Sequence, residues 1–223
     1  MSWNNPLPLT RLMAAMEPFG WGERVLDIGC GSGELLGVLS EQGVAGVGVD
    51  RDARAIEAAD ARGHRGVEWL VGDATTTTPD ERFDRVVLLG ATQAFGRGPD
   101  ALPAALTFVR SRLATEGLVV VGELFGRGPP PEPWRAFLGD PTGLERTHAD
   151  NVAACEASGY RCVHAVTASE ADWDAFEWAH FRSQGRTEWR DAWLRWGRDH
   201  MGFGVYVLGH RSGAPTISLP ADR

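Results

Sequence analysis

Lysine is absent from the chain, and all 22 of its basic side chains are arginines. This absence excludes lysine Schiff-base enzymes, pyridoxal-phosphate enzymes, and the nucleotide-binding proteins whose phosphate loop carries a lysine. Cysteine is scarce as well, because Cys30, Cys155 and Cys162 are too few and too scattered for a disulfide framework or a zinc cluster. No run approaches the roughly 20 apolar residues that a membrane helix needs, so we expect no membrane partner.

Acidic side chains outnumber basic ones by 30 to 22, which gives the 223-residue chain a net charge of −8. Nucleic acid is bound by a basic protein surface, so this balance predicts no nucleic-acid partner. The N-terminal segment lacks the basic and then apolar stretches of a secretory signal, and we therefore expect a cytoplasmic protein.

Apolar runs alternate with amphipathic ones over the first 122 residues. The runs are apolar on both sides of the pleat, which is typical of parallel strands covered on both faces. Strands are predicted over 24–28, 45–49, 67–71, 84–89 and 117–122, and helices over 33–42, 52–62 and 99–114. This alternation predicts right-handed βαβ crossovers and a doubly wound α/β sheet.

The pattern changes after Gly122. A proline-rich loop is predicted first, followed by a helix near 145–158 and a strand near 160–167. Residues 169–200 are polar and aromatic and predict two helices with a break at 183–185, and a last strand is predicted over 202–210. The tail that follows is expected to be disordered. A short helix is predicted at the front, over 7–19.

Three glycines alternate directly after the first predicted strand. Gly29, Gly31 and Gly33 follow Asp27, and a helix is predicted to begin at once. Glycine permits a tight turn and a close approach of backbone N–H groups to a ligand, and the helix N-terminus adds a positive dipole. Asp50 ends the second strand, where a carboxylate can accept hydrogen bonds from ribose hydroxyls. The spacing is not the G-x-G-x-x-G of dinucleotide-binding proteins, and an acid two residues before the first glycine suits a ligand with an amino-acid end.

Five segments in order resemble the class I S-adenosylmethionine-dependent methyltransferases. VLDIGCGSG at 25–33 matches the first motif of that family, and VGVD at 47–50 matches the second. VGDAT at 71–75, FDRVVLLGAT at 83–92 and ATEGLVVVGE at 114–123 match the third motif and the fourth and fifth strands. The resemblance covers 22–122 motif by motif and the remainder in the order of its elements.

This resemblance implies a Rossmann-like sheet of seven strands, mostly parallel, with a helical insertion between the last two. It implies S-adenosylmethionine as the methyl donor, S-adenosylhomocysteine as the product, and no metal. The implied donor-binding residues lie at the ends of the first four strands: Asp27, Gly29, Gly31, Gly33, Asp50, Arg51, Asp73, Ala74 and Leu89. We expect a cap over 1–21, a donor-binding core over 22–167, an insertion over 168–201, the last core strand over 202–211 and a tail over 212–223.

The absence of several family motifs reduces the number of possible classes of methyl acceptor. Gly90-Ala91-Thr92-Gln93 stands where base-methylating enzymes carry an Asn/Asp-Pro-Pro-aromatic box. The catalytic cysteine of RNA cytosine-C5 enzymes and the double-Glu loop of protein-arginine enzymes are not visible either. We therefore expect transfer to an oxygen or nitrogen of a small molecule, by a monomer or a homodimer.

The insertion over 168–201, which we call the lid, is expected to bind that acceptor. In this family the sixth strand ends, and the seventh begins, at the edge of the sheet where the donor binds. Candidate catalytic residues are Glu123, expected directly after the fifth strand, and Glu177 and His180 in the lid. Candidate acceptor contacts are Gln93, Phe95, Glu123, Trp173, Glu177 and His180.

Two other functions are compatible with these residues. One is a donor-binding regulatory or partner protein of the same fold that transfers no methyl group. The other is a macromolecule methyltransferase, which the five lid arginines leave open, although acidic residues interleave with them as on a solvated helix.

Overall fold

A computed structural model describes residues 3–139 and 144–211, so the predicted tail over 212–223 lies outside the described residues. The strands in chain order are β1 Arg24–Ile28, β2 Ala45–Asp50, β3 Val67–Val71, β4 Phe83–Leu89, β5 Leu113–Gly126, β6 Tyr160–Thr167 and β7 Met201–His210. The helices are α1 Leu9–Met16, α2 Glu34–Glu41, α3 Ala53–Asp60, α4 Ala74–Thr77, α5 Ala101–Val109, α6 Glu132–Leu138, α7 His148–Ala157, α8 Glu170–Gln184, α9 Thr187–Ala192 and α10 Arg198–His200.

The strands form one seven-stranded sheet in the order β3-β2-β1-β4-β5-β7-β6. Strands β1 to β5 pair in parallel. Strand β7 lies antiparallel between β5 and β6. The predicted doubly wound sheet with a helical insertion between its last two strands is therefore confirmed. In such a sheet the carboxyl ends of the parallel strands meet at one edge, where ligands bind.

The strands contribute alternating side chains to two apolar clusters, one on each face of the sheet. The cluster that we call the lid-side core contains Val120 of β5 and joins it to Leu12 of α1 and Trp193 of the lid. The α5-side core contains Val121 of β5 and joins it to Leu106 of α5 and Cys155 of α7. Burial of both faces explains the apolar runs of the inner strands, whereas the edge strands β3 and β6 are partly exposed.

The structure corrects the predicted boundary between α5 and β5. The helix was expected over 99–114, but α5 ends at Val109 and a short 3₁₀ turn follows. Strand β5 was expected over 117–122, yet it runs from Leu113 to Gly126. Its last part is held by pairing with β7, including Glu123 opposite Gly204. This pairing joins residues about 80 positions apart, so local periodicity could not reveal it.

Helix α6 lies where the sequence predicted only a proline-rich loop. Pro131 precedes the helix and Glu132 lies in its first turn, both of which are favourable at a helix N-terminus. Trp134 of α6 is fully buried in the lid-side core. Prolines before the helix and in its first turn favoured a loop in the sequence, whereas burial of this one large side chain stabilises a seven-residue helix.

The lid consists of α8, α9, a π-helical turn over Trp193–Gly197, and α10. Ser169 caps α8 and forms a capping box with Asp172. Gly185 ends α8 with φ 62°, a left-handed conformation suited to glycine. This agrees with the predicted helix break at 183–185. Among the described residues, no helix combines the length and hydropathy required to cross a membrane.

Candidate active site

The glycine loop after β1 is folded tightly and is open at one position. Gly29, Gly31 and Gly33 have φ angles of 77°, 55° and 77°. A Cβ added to Gly29 would lie 2.6 Å from the Ala91 Cβ, and one added to Gly33 would overlap the Trp69 ring. A Cβ on Gly31 would meet nothing within 4 Å. The first and third glycines are therefore required by packing, whereas the second leaves a space that a ligand can fill.

Two acidic side chains lie at the carboxyl ends of β1 and β2, the strands on either side of the glycine loop in sequence. The Asp50 carboxylate accepts a hydrogen bond from the Gly31 backbone N–H at 2.8 Å and another from the Asp52 N–H at 2.9 Å. Asp27 is buried at the end of β1. Burial, together with the nearby negative charges of Asp50 and Glu34, raises the pKa of Asp27 to about 7. A positively charged ligand group would relieve this accumulation of negative charge.

The remaining predicted donor residues follow β2, β3 and β4. Asp73 caps α4 and accepts a hydrogen bond from the Thr75 N–H at 2.8 Å, and hydrogen bonds from Thr75 lower its pKa. Ala74 is buried beside it, whereas Leu89 is half-buried and Arg51 is exposed. The structure thus brings all the predicted donor residues to the carboxyl ends of β1 to β4.

The two predicted residues after β4 point in different directions. Gln93 is exposed, and its side-chain amide donates to the Gly90 carbonyl at 2.8 Å. Phe95 packs against Phe108 of α5, with ring centroids 4.8 Å apart. Phe95 therefore packs against the α5-side core. Of the two side chains, Gln93 is the solvent-exposed one.

Glu123 does not follow β5 at the edge of the sheet, as the sequence predicted, but lies within the strand. Its carboxylate is buried, accepts a hydrogen bond from the Thr92 hydroxyl, and lies 3.6 Å from the Arg146 guanidinium. Burial raises the pKa of Glu123, while the Thr92 hydrogen bond and the Arg146 charge oppose that rise. Arg146 was not found from the sequence, because a single loop arginine carries no pattern.

Glu177 lies inside the lid. Its carboxylate accepts a hydrogen bond from the Trp189 indole N–H at 2.7 Å and is nearly inaccessible to solvent. Burial raises the pKa of Glu177, and the Trp189 hydrogen bond partly offsets this effect. Glu177 therefore joins α8 to α9 through the indole of Trp189.

His180 joins the lid to the N-terminal segment. Its Nδ1 lies 3.0 Å from the Phe176 carbonyl oxygen and its Nε2 lies 3.0 Å from the Asn4 side-chain oxygen. Arg11 of α1 also forms an ion pair with Asp172 of α8. Both ring nitrogens of His180 are thus engaged, which links residues before α1 to the middle of α8.

Aromatic rings fill the space between the lid and α6. Trp173 stacks on Trp193 with centroids 5.2 Å apart, and Trp134 contacts both Trp189 and Trp196. Trp173 is 3% exposed, so this predicted acceptor contact is packed inside the lid. The tryptophans of α9 and the π-helical turn therefore pack against α6 and α8.

Both the sequence and the fold of this chain are similar to those of known proteins. The family model of the methionine biosynthesis protein MetW matches residues 12–114. A comparison with the curated proteins gives no match.

Solved structures give wider coverage. A methyltransferase from Thiobacillus denitrificans in complex with S-adenosylhomocysteine is 26% identical, with 94% of each chain covered and a TM-score of 0.78. A methyltransferase from Geobacter sulfurreducens, also in complex with S-adenosylhomocysteine, is 24% identical, with 95% of this chain and 94% of that chain covered and a TM-score of 0.80. The mycolic acid cyclopropane synthase CmaA1 has the same fold at 17% identity, with 90% and 87% covered and a TM-score of 0.62.

Proposed function

Because the chain belongs by fold and motifs to the class I S-adenosylmethionine-dependent methyltransferases, we propose that it binds S-adenosylmethionine and methylates an oxygen or nitrogen of a small molecule. The observation that carries this proposal is the open face of Gly31, whose backbone N–H donates to the Asp50 carboxylate. We further propose a cytoplasmic monomer or homodimer that acts without nucleic acid or membrane.

The donor-binding residues fit the chemistry of this cofactor. Asp27 would hold its ammonium group, because a buried carboxyl with a raised pKa gains from a cationic partner. Asp50 would accept hydrogen bonds from the ribose hydroxyls, since each carboxylate oxygen has further acceptor capacity. Asp73 and Ala74 would contact the adenine, beside the exposed side chain of Val71. Arg51 and Leu89 complete the proposed donor site.

The chemistry supplied by the bound donor is an activated methyl group on a sulfonium. The protein then has to align the acceptor, exclude water, and receive a proton where the acceptor carries one. The lid packs on the same face of the sheet as Val25, which neighbours Asp27 in β1 by alternation. This placement supports the lid as the cover of the acceptor site, with the exposed Gln93 at its boundary.

The donor half of the proposal is tested by calorimetry with S-adenosylmethionine, S-adenosylhomocysteine and NAD. We expect the two sulfur compounds to bind and NAD not to bind. The acceptor half is tested by incubation with S-adenosylmethionine and libraries of amines, phenols and carboxylates, with S-adenosylhomocysteine release as the measurement. Binding of NAD without binding of either sulfur compound would overturn the proposal.

A donor-binding protein without transfer activity is the second candidate. The observation in its favour is that Glu123, Glu177 and His180 each have a protein partner for at least one polar side-chain atom. On this alternative, donor binding would be retained, while no acceptor would cause S-adenosylhomocysteine to accumulate. A transferase needs no free base if its acceptor is already deprotonated, and product release therefore decides between the two.

A further inference from the structure

The buried carboxylate of Glu123 belongs to the α5-side face of β5. Its neighbours by alternation, Val119 and Val121, both lie in the α5-side core. The lid packs on the opposite face, through Leu124 and the lid-side core. Glu123 therefore lies on the other side of the sheet from Glu177 and from the lid's aromatic rings.

The Glu123 carboxylate lies beside the Arg146 guanidinium. One Arg146 nitrogen lies 3.6 Å from the Glu123 carboxylate, and another donates to the Pro99 carbonyl at 3.2 Å. The Arg146 carbonyl accepts a hydrogen bond from the Gly126 N–H at 2.8 Å. Arg146 is thus held by its backbone at the end of β5 and by its guanidinium at the turn before α5, which places the guanidinium beside Glu123.

From Glu123 the network continues to the donor edge through Thr92. The Thr92 hydroxyl donates to the carboxylate oxygen that does not face Arg146. Ala91, the residue before Thr92, packs closely on Gly29. A Cβ added to Gly29 would lie only 2.6 Å from the Cβ of Ala91. The Gly90 N–H donates to the Gly122 carbonyl at 2.9 Å, which secures the other end of this segment to β5.

We propose that Glu123, with Arg146 and Thr92, is a positioning residue that holds the segment 90–95 against the glycine loop and thereby sets the affinity for the methyl donor. The proposal rests on the proposed function, because the loop that Ala91 contacts is the proposed donor site. It also gives Glu123 a role other than proton acceptor. Both carboxylate oxygens are engaged by protein groups, and the residue faces away from the lid.

The test measures the affinity of the full chain for S-adenosylhomocysteine by calorimetry, in the wild type and in single variants. Thr92→Val keeps the shape of the side chain but removes its hydroxyl, and Glu123→Gln keeps an acceptor but removes the charge. We expect each to weaken binding by about tenfold, the lower end of the effect of a hydrogen bond to a charged group. Thr92→Ser should restore wild-type affinity, and the double variant should bind about as well as either single variant.

Thr107→Val is the matched control, because the exposed Thr107 hydroxyl donates only to its own helix, at the Pro103 carbonyl. This variant should leave the affinity unchanged. A purely structural role, or a role as proton acceptor, would leave the affinity of folded Thr92→Val and Glu123→Gln unchanged, and that result overturns the proposal. Thr92→Val also covers the case in which Glu123→Gln fails to fold. If the wild type itself binds no S-adenosylhomocysteine, the proposed function fails first, and the positioning role fails with it.

Discussion

At the scale of single residues, Asp27 couples ionisation to folding. Its pKa rises to about 7 in the folded protein from an ordinary value of 3.8. Between these values the folded state binds a proton that the unfolded state has released. The stability linked to this carboxyl is therefore present at low pH and is lost as the pH rises through about 7.

Asp27→Asn should remove this dependence, because a neutral amide resembles the protonated acid. Relative to the wild type, we expect the free energy of unfolding of the variant to rise from about pH 4 and to level off above about pH 7, with a total gain of about 2–4 kcal/mol. Urea unfolding at several pH values measures this difference, and Asp60→Asn at the exposed end of α3 is the control. If the difference in free energy of unfolding between Asp27→Asn and the wild type does not change with pH, burial does not raise the pKa of Asp27.

Gly31 and Gly29 allow a second comparison at this scale. Both have positive φ angles, so alanine costs roughly 1 kcal/mol of backbone strain at either position. Only at Gly29 does the added Cβ collide, with Ala91. Gly29→Ala should therefore lower the free energy of unfolding clearly more than Gly31→Ala does, as measured in urea. Gly31→Ala should instead weaken S-adenosylhomocysteine binding while the protein stays folded. Equal losses of stability would show that the space at Gly31 is not open.

At the scale of elements, the sequence predicted the strands and helices that are marked by a local hydrophobic pattern and by capping residues. Every strand except β5 agrees with its predicted range to within one residue. The end of β5 and all of α6 could not be predicted in this way. Pairing with β7 decides the first, and burial of Trp134 against the lid decides the second. Glu123 was misplaced at the edge of the sheet for the same reason.

The lid and α7 begin with matching capping boxes, formed by Ser169 with Asp172 and by Thr147 with Asp150. Ser169→Ala should destabilise the start of α8 by about 1 kcal/mol, since the Asp172 backbone N–H loses its acceptor, the Ser169 hydroxyl. Hydrogen exchange followed by mass spectrometry should then show faster exchange in the first turns of α8, with β5 unchanged. Thr147→Ala is the matched control and should affect α7 instead. Faster exchange throughout the sheet in the Ser169 variant would mean that the lid is not a separate unit of local stability.

At the scale of the whole molecule, the sheet divides the proposed machinery between its two faces. The lid, α1 and the N-terminal segment meet on one face, where Arg11 pairs with Asp172 and Asn4 with His180. The Glu123 network lies on the other face and reaches the donor loop through Ala91. The proposed donor-binding residues could be suggested from the sequence because they lie in contiguous motifs. The division between faces depends on which side of β5 each residue takes, and that became visible only in three dimensions.

This division predicts that the lid can be removed without loss of the donor site. Thr167 of β6 pairs with Gly204 of β7, and the Ala168 N–H donates to the Phe203 carbonyl at 2.9 Å, so a short turn can join the two strands in register. Replacing 168–201 by such a turn exposes Trp134 and should lower the free energy of unfolding by several kcal/mol. The affinity for S-adenosylhomocysteine, measured by calorimetry below the unfolding transition, should nevertheless stay within about threefold of the wild type, because no proposed donor contact lies in the lid. Methyl transfer to any acceptor found for the full chain should be lost, since water would reach the donor. A folded variant that no longer binds S-adenosylhomocysteine would show that the lid is part of the donor site, and that donor and acceptor binding are not separable in this chain.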